Sequence, residues 1–136
     1  MRKVSVLIGF CMLVALGLTL IGQEAGLPPI MQSNRMVMPS LNMNIMAKNA
    51  DGAAADAQKL QQNFTQANDI FKALKSDDAA GMAKAAADDA GTVLKSIQGG
   101  NWDAAGTQAG AVQKRCGACH MAHREQLPDK SFKFKP

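Results

Sequence analysis

Both histidines and two of the three cysteines of this 136-residue chain fall within RCGACHMAHRE, residues 115–125. Cys116 and Cys119 stand three residues apart, which on a helix puts both thiols on one side. His120 follows at once, and His123 lies one helical turn further on. Three chemistries use thiols and an imidazole at such spacing. A zinc site would take Cys116 and Cys119 with His120 or His123, although zinc sites usually draw ligands from two separated segments. A redox dithiol of the thioredoxin kind belongs in a βαβ setting, and nothing here reads as strand. The third is covalent haem attachment, for which C-x-x-C-H is the signature. There each thiol adds to one of two vinyl groups on neighbouring pyrroles, and the next residue directs its imidazole beneath the ring toward the iron. Gly117 and Ala118 are small enough to leave room for the macrocycle. The spacing favours haem. With His120 serving the iron, His123 is expected to be a solvated or haem-edge residue and not a ligand.

The cysteine count depends on the N-terminus. Met1-Arg2-Lys3 precedes an uncharged apolar run, Val4 to Ile21, and Gly22-Gln23 offers a cleavage point. This reads as an export signal over residues 1–22, and the chain beyond it is expected in the periplasm or otherwise outside the cytoplasm. An uncleaved membrane anchor is the alternative, because the run reaches the short end of the spanning range. Cys11 lies inside the run. Its removal leaves Cys116 and Cys119, which close too short a loop to make a stabilising disulfide. Loss of Arg2 and Lys3 lowers the formal net charge from +4 to +2. No basic run or aromatic ladder suggests nucleic acid.

These residues need a scaffold, and the scaffold reads as helix. Alanine, lysine, glutamine and aspartate are plentiful and tyrosine is absent, a balance that favours helix over strand. After a linker at 23–29, Pro28-Pro29 can open a first helix running from about Ile30 to Lys48, with Pro39 kinking or restarting it. Asn49-Ala50-Asp51-Gly52 is a turn. Ala53, Ala57, Leu60, Phe64, Ala67, Phe71 and Leu74 form the stripe of a second helix. Ser76-Asp77-Asp78 caps a third, which carries Met82, Ala86, Ala90, Val93 and Ile97 and stops at Gly99-Gly100. Asn101 caps a fourth, whose stripe of Trp102, Ala105, Ala109, Val112, Cys116 and Cys119 runs into the motif and whose end is set by Pro128. Residues 128–136 are a polar tail. Short links make neighbouring helices antiparallel. The expected fold is all-α: an antiparallel four-helix bundle over residues 30–127. Stripes so rich in alanine supply too little side-chain volume to fill the bundle, which a large apolar ligand would repair.

A C-x-x-C-H on the last helix of such a bundle resembles the class II c-type cytochromes, the cytochrome c′ type. The resemblance implies one haem c held by Cys116 and Cys119, with His120 as the proximal iron ligand. Arg124, four residues after that histidine, matches an arginine the family often places at the haem edge. His123 and Pro39 depart from the family pattern. In low-spin members a first-helix methionine fills the sixth iron position. Met38 shares a face with Leu41, Asn42 and Ile45 and is the residue expected there, with Met36 and Met43 as competitors. The function so implied is one-electron transfer among redox proteins of the cell envelope, as a monomer or a homodimer. A five-coordinate NO- or CO-binding protein is the alternative, and a non-haem metal-binding helical module a lesser one. Enzymatic activity is not expected, since the chain lacks the distal acid–base pair that peroxidase chemistry needs.

Overall fold

In the computed structural model the described residues are 25–136. The signal segment and its cleavage point lie outside them. Four helices carry the fold: α1 (Leu27–Met46), α2 (Ala50–Ala73), α3 (Asp77–Gln98) and α4 (Trp102–His123). Each packs on the next, and α1 also meets α4. Among the described residues no helix is long and apolar enough to cross a membrane.

One local device makes all three turns. At Ala47-Lys48-Asn49, Leu74-Lys75-Ser76 and Gly99-Gly100-Asn101 the middle residue is left-handed, with φ of 53°, 58° and 70°. In each, the third residue's N–H reaches back to a carbonyl five residues earlier: Asn49 to Asn44, Ser76 to Phe71 and Asn101 to Ser96, at 2.9–3.0 Å. That is the Schellman closure of a helix. Only the third turn uses glycine at the left-handed position, where lysine carries a steric cost. The residue that closes one helix also starts the next. Asn49 and Asn101 each accept a hydrogen bond from a backbone N–H of the following turn, Gly52 and Ala104, at 3.2 Å. Ser76 holds the same position, but its side chain makes no capping bond. Links this short return the chain alongside the helix it has just left, so successive helices run antiparallel.

The apolar stripes meet as their spacing requires. Leu41, Leu60, Val93 and Val112, one from each helix, are fully buried at the centre of the larger core. A smaller core joins Leu27 and Ile30 of α1, Ala67 and Phe71 of α2, and Ala79, Ala80 and Ala83 of α3. The last three extend the buried face of α3 beyond the expected stripe, and Met82 lies only partly inside. Polar bonds also tie α1 to α2. Ser40 and Asn44 both donate to Asp56, at 2.7 and 2.8 Å, and Asn63 donates to Asn34 at 2.8 Å.

Four boundaries differ from the sequence reading, one being α2, which starts at Ala50 inside the expected turn. Helix α1 starts at Leu27, with prolines in its first turn, where a missing N–H is harmless. It continues through Pro39 to Met46. Helix α4 ends at His123, well before Pro128, and the expected polar tail instead folds back. Strand β1 (Arg124–Gln126) pairs antiparallel with β2 (Phe132–Phe134), Arg124 opposite Phe134. Truncating the core should confirm where the stability lies. Leu60→Ala is expected to lower the unfolding free energy by about 2–5 kcal/mol, read from urea midpoints, while Lys59→Ala on the exposed side should change it by less than about 0.5 kcal/mol.

Candidate cofactor site

The two cores do not close on each other. Between them lies a cavity of about 960 Å³, at the upper end of the roughly 300–1,000 Å³ typical of ligand and cofactor sites. Met38, Phe64 and Ala86 bound it from the larger core, and Leu27, Ala67, Phe71 and Ala83 from the smaller. Alanine on α3 opposite phenylalanine on α2 leaves the gap, as the composition leads one to expect.

Helix α4 delivers the reactive residues. Ala105, Ala109 and Val112 bury its stripe against the bundle. One turn on, Cys116 and Cys119 leave the packed region half-buried and line the cavity together with His120. Both thiols are free. Burial pushes the Cys116 thiol up; Cys119 is raised by burial first and then by the charges of Cys116 and Asp78. His120 moves the other way, lowered by burial and next by the neighbouring Arg124 charge. The site therefore favours protonated thiols and a neutral imidazole. Gly117 and Ala118 are exposed and lie off the cavity wall. A Cβ at Gly117 would meet nothing within 4 Å, so the chain's own packing does not require a small residue there.

Across the cavity stands α1. Met38 is 9 % exposed and faces inward, whereas Met36 and Met43 are 64 % and 65 % exposed. Helical geometry thus turns one of the three away from its competitors. Met31, two turns earlier, also lines the cavity. Cys116 packs against the same core cluster as Met38, while Met31 belongs to the smaller one. Asn34 is a further buried wall residue, its Oδ1 held by Asn63 and its Nδ2 without a partner.

Among the described residues the charged groups on the wall are Arg35, Arg115, Arg124 and Lys133, and none is a carboxylate. Arg115 pairs with Asp89 and Lys133 with Glu125, so two of the four are partly offset from outside. The Arg124 guanidinium stacks over the Phe132 ring, 3.3 Å from its centre. Among the described residues, no three His, Cys, Asp or Glu side chains come together as a metal-holding group.

His123 is not solvated. It is 9 % exposed and bonded at both ring nitrogens, to the Lys135 carbonyl and the Asp78 carboxylate, at 3.0 Å each. Its ring stacks on Phe134, which also packs on Phe71. Phe132, Lys133 and Phe134 are wall residues that the sequence reading assigned to a tail. The alternation of Ser131-Phe132-Lys133-Phe134-Lys135 is a short strand pattern that could have exposed them.

Compared with protein-family models, with curated proteins and with solved structures, the chain finds no match. The chemistry must be argued from the site itself. In ligand-free protein the raised thiols should make Cys116 and Cys119 sluggish nucleophiles. Alkylation by iodoacetamide, followed by intact mass, is expected to lag well behind free cysteine at pH 8. It should catch up only above the ordinary thiol range of about 8.5.

Proposed function

We propose that this protein is an exported mono-haem c-type cytochrome that carries single electrons among redox proteins of the cell envelope. One observation carries the reading: Cys116, Cys119 and His120 of α4 and the buried Met38 of α1 line the same cavity. The residues present suit the group. The walls are largely apolar, as a porphyrin face requires. The wall charges are all cationic, as its propionate carboxylates require. Raised thiols argue against a redox dithiol, which works through its thiolate.

In this reading Cys116 and Cys119 would hold the porphyrin covalently, and His120 would be an iron ligand. When bound, the group would supply a one-electron ferric/ferrous couple. The chain supplies the rest. Burial and Arg124 keep the His120 imidazole neutral, the form with a lone pair to offer a metal. Met38 offers a soft thioether from the opposite wall, a donor that favours the reduced metal and raises its potential. Phe64, Phe71 and Phe134 exclude water, and Arg35, Arg115, Arg124 and Lys133 offset carboxylate charge.

Two experiments test this reading. Expressed with haem-attachment machinery, the chain should gain the mass of one haem, and Cys116→Ala with Cys119→Ala should gain none. A native chain without added haem mass sinks the reading. The distal side is read by spectroscopy. With Met38 bound, both oxidation states should be low-spin and the reduced protein should take up CO slowly. Met38→Ala should turn the iron high-spin and make CO binding fast, while Met31→Ala, Met36→Ala and Met43→Ala leave the spectrum unchanged. Native protein that is already high-spin and binds CO at once would make gas binding the better function.

A further inference from the structure

The hairpin that closes one side of the cavity is fastened by a histidine whose hydrogen bonds are chemically unequal to its neutral form. His123 Nδ1 lies 3.0 Å from the Lys135 carbonyl oxygen, and Nε2 lies 3.0 Å from Asp78 Oδ2. A carbonyl and a carboxylate only accept; neutral imidazole has a single N–H to donate. Both bonds exist together only when both ring nitrogens carry a proton. We propose that residues 124–135 form a pH-sensitive strap over the cavity. Imidazolium His123 latches the strap to α3, and loss of one proton loosens it.

The geometry gives the latch its leverage. Beyond the two side-chain bonds, Lys135 N–H donates to the His123 carbonyl at 2.8 Å, so the end of the strap is tied to the end of α4. Phe134 sits between the rings of His123 and Phe71, with centroids 5.7 and 5.0 Å away. Releasing His123 therefore removes one of the two rings that pack on Phe134, which covers the smaller core and lines the cavity. The charged and titratable surroundings are few. Helix α3 presents Asp78, α4 itself carries Cys119 and His120, and Arg124 opens β1. From α2 comes the Phe71 ring, and Leu27 and Ile30 of α1 join the same apolar cluster. The hairpin adds the Phe134 ring, the Lys135 carbonyl and, at the cavity, Lys133 in its pair with Glu125. The charged form makes one more bond than the neutral form, so the strap is tight when both ring nitrogens are protonated and loosens when rising pH removes one proton. What the strap governs, access to a cofactor, rests on the haem reading; the strap itself does not.

Hydrogen–deuterium exchange of the mature protein tests the latch. Exchange of peptides covering 124–136, corrected for the intrinsic effect of pH, should quicken roughly fivefold from pH 5.5 to 8.5, the weight of one hydrogen bond. Asp78→Ala leaves the Lys135 carbonyl as sole acceptor, which neutral imidazole can serve. Its exchange should then be independent of pH, and so should that of His123→Gln, which cannot charge. A wild type without the pH effect overturns the proposal, as does an Asp78→Ala variant that keeps it. Access is read as the CO-binding rate of the reduced protein in a Met38→Ala background, so that release of Met38 does not limit it. The rate should rise with pH and lose that rise when Asp78→Ala is added. A flat CO rate beside pH-dependent exchange would overturn the gating role. A chain without haem mass would defeat the cytochrome reading, while exchange alone still judges the latch.

Discussion

Where helices present alanine to one another, the space between them shrinks only as far as the larger side chains of their neighbours allow. In this bundle α3 buries Ala79, Ala80, Ala83, Ala86, Ala87 and Ala90. Opposite them α2 presents Leu60, Phe64 and Phe71. Large against small packs well in a single layer. It does not fill the volume that opens where α1 and α4 must also meet. The cavity follows from that mismatch, and it sits between the two cores.

The turns and the buried amides keep that volume from collapsing. Three Schellman closures of identical hydrogen-bond pattern set successive helices side by side. Asn63 reaches Ser33 and Asn34 across the α1–α2 interface at 2.9 and 2.8 Å, and Asn68 reaches the Ala80 carbonyl of α3 at 2.7 Å. Such bonds are directional, so sliding a helix to close the gap would strand buried polar groups. Helices α1 and α4 are held apart across the cavity, with Met38 on one wall and Cys116, Cys119 and His120 on the other.

The cavity's edge is built by a different part of the chain. Arg124 follows α4 and begins β1, so the residue whose charge adds to burial in lowering His120 also stacks on Phe132 of the hairpin. The hairpin in turn brings Phe134 onto Phe71 and His123. An isolated two-stranded hairpin is barely stable in water. Here the aromatic contacts and the histidine bonds supply what strand pairing alone does not. The floor of the site is a property of the bundle, and its rim a property of the last thirteen residues.

Periodicity alone determined the four helices, their order and most of the buried stripe, because a helix's inward face repeats every three or four residues whatever its partners are. The spacing of Cys116, Cys119 and His120 likewise put the three on one side of a helix without reference to the fold, since residues three and four apart share a helical face, and all three line the cavity. Met38, too, was legible as inward from its phase with Leu41 and Ile45. Other features could not be read this way. Asn34 and Asn63 look like ordinary surface polar residues until two helices bury them against each other. Asp78 reads as an N-terminal helix charge, and only its approach to His123, forty-five residues away, gives it a second role. The tail reads as polar because Phe132 and Phe134 alternate with charged or hydroxyl residues over too few positions to outweigh them. Their partners, Arg124, His123 and Phe71, lie on elements that converge only after the bundle has formed. Local pattern records what a residue needs; which distant group meets that need is settled by packing.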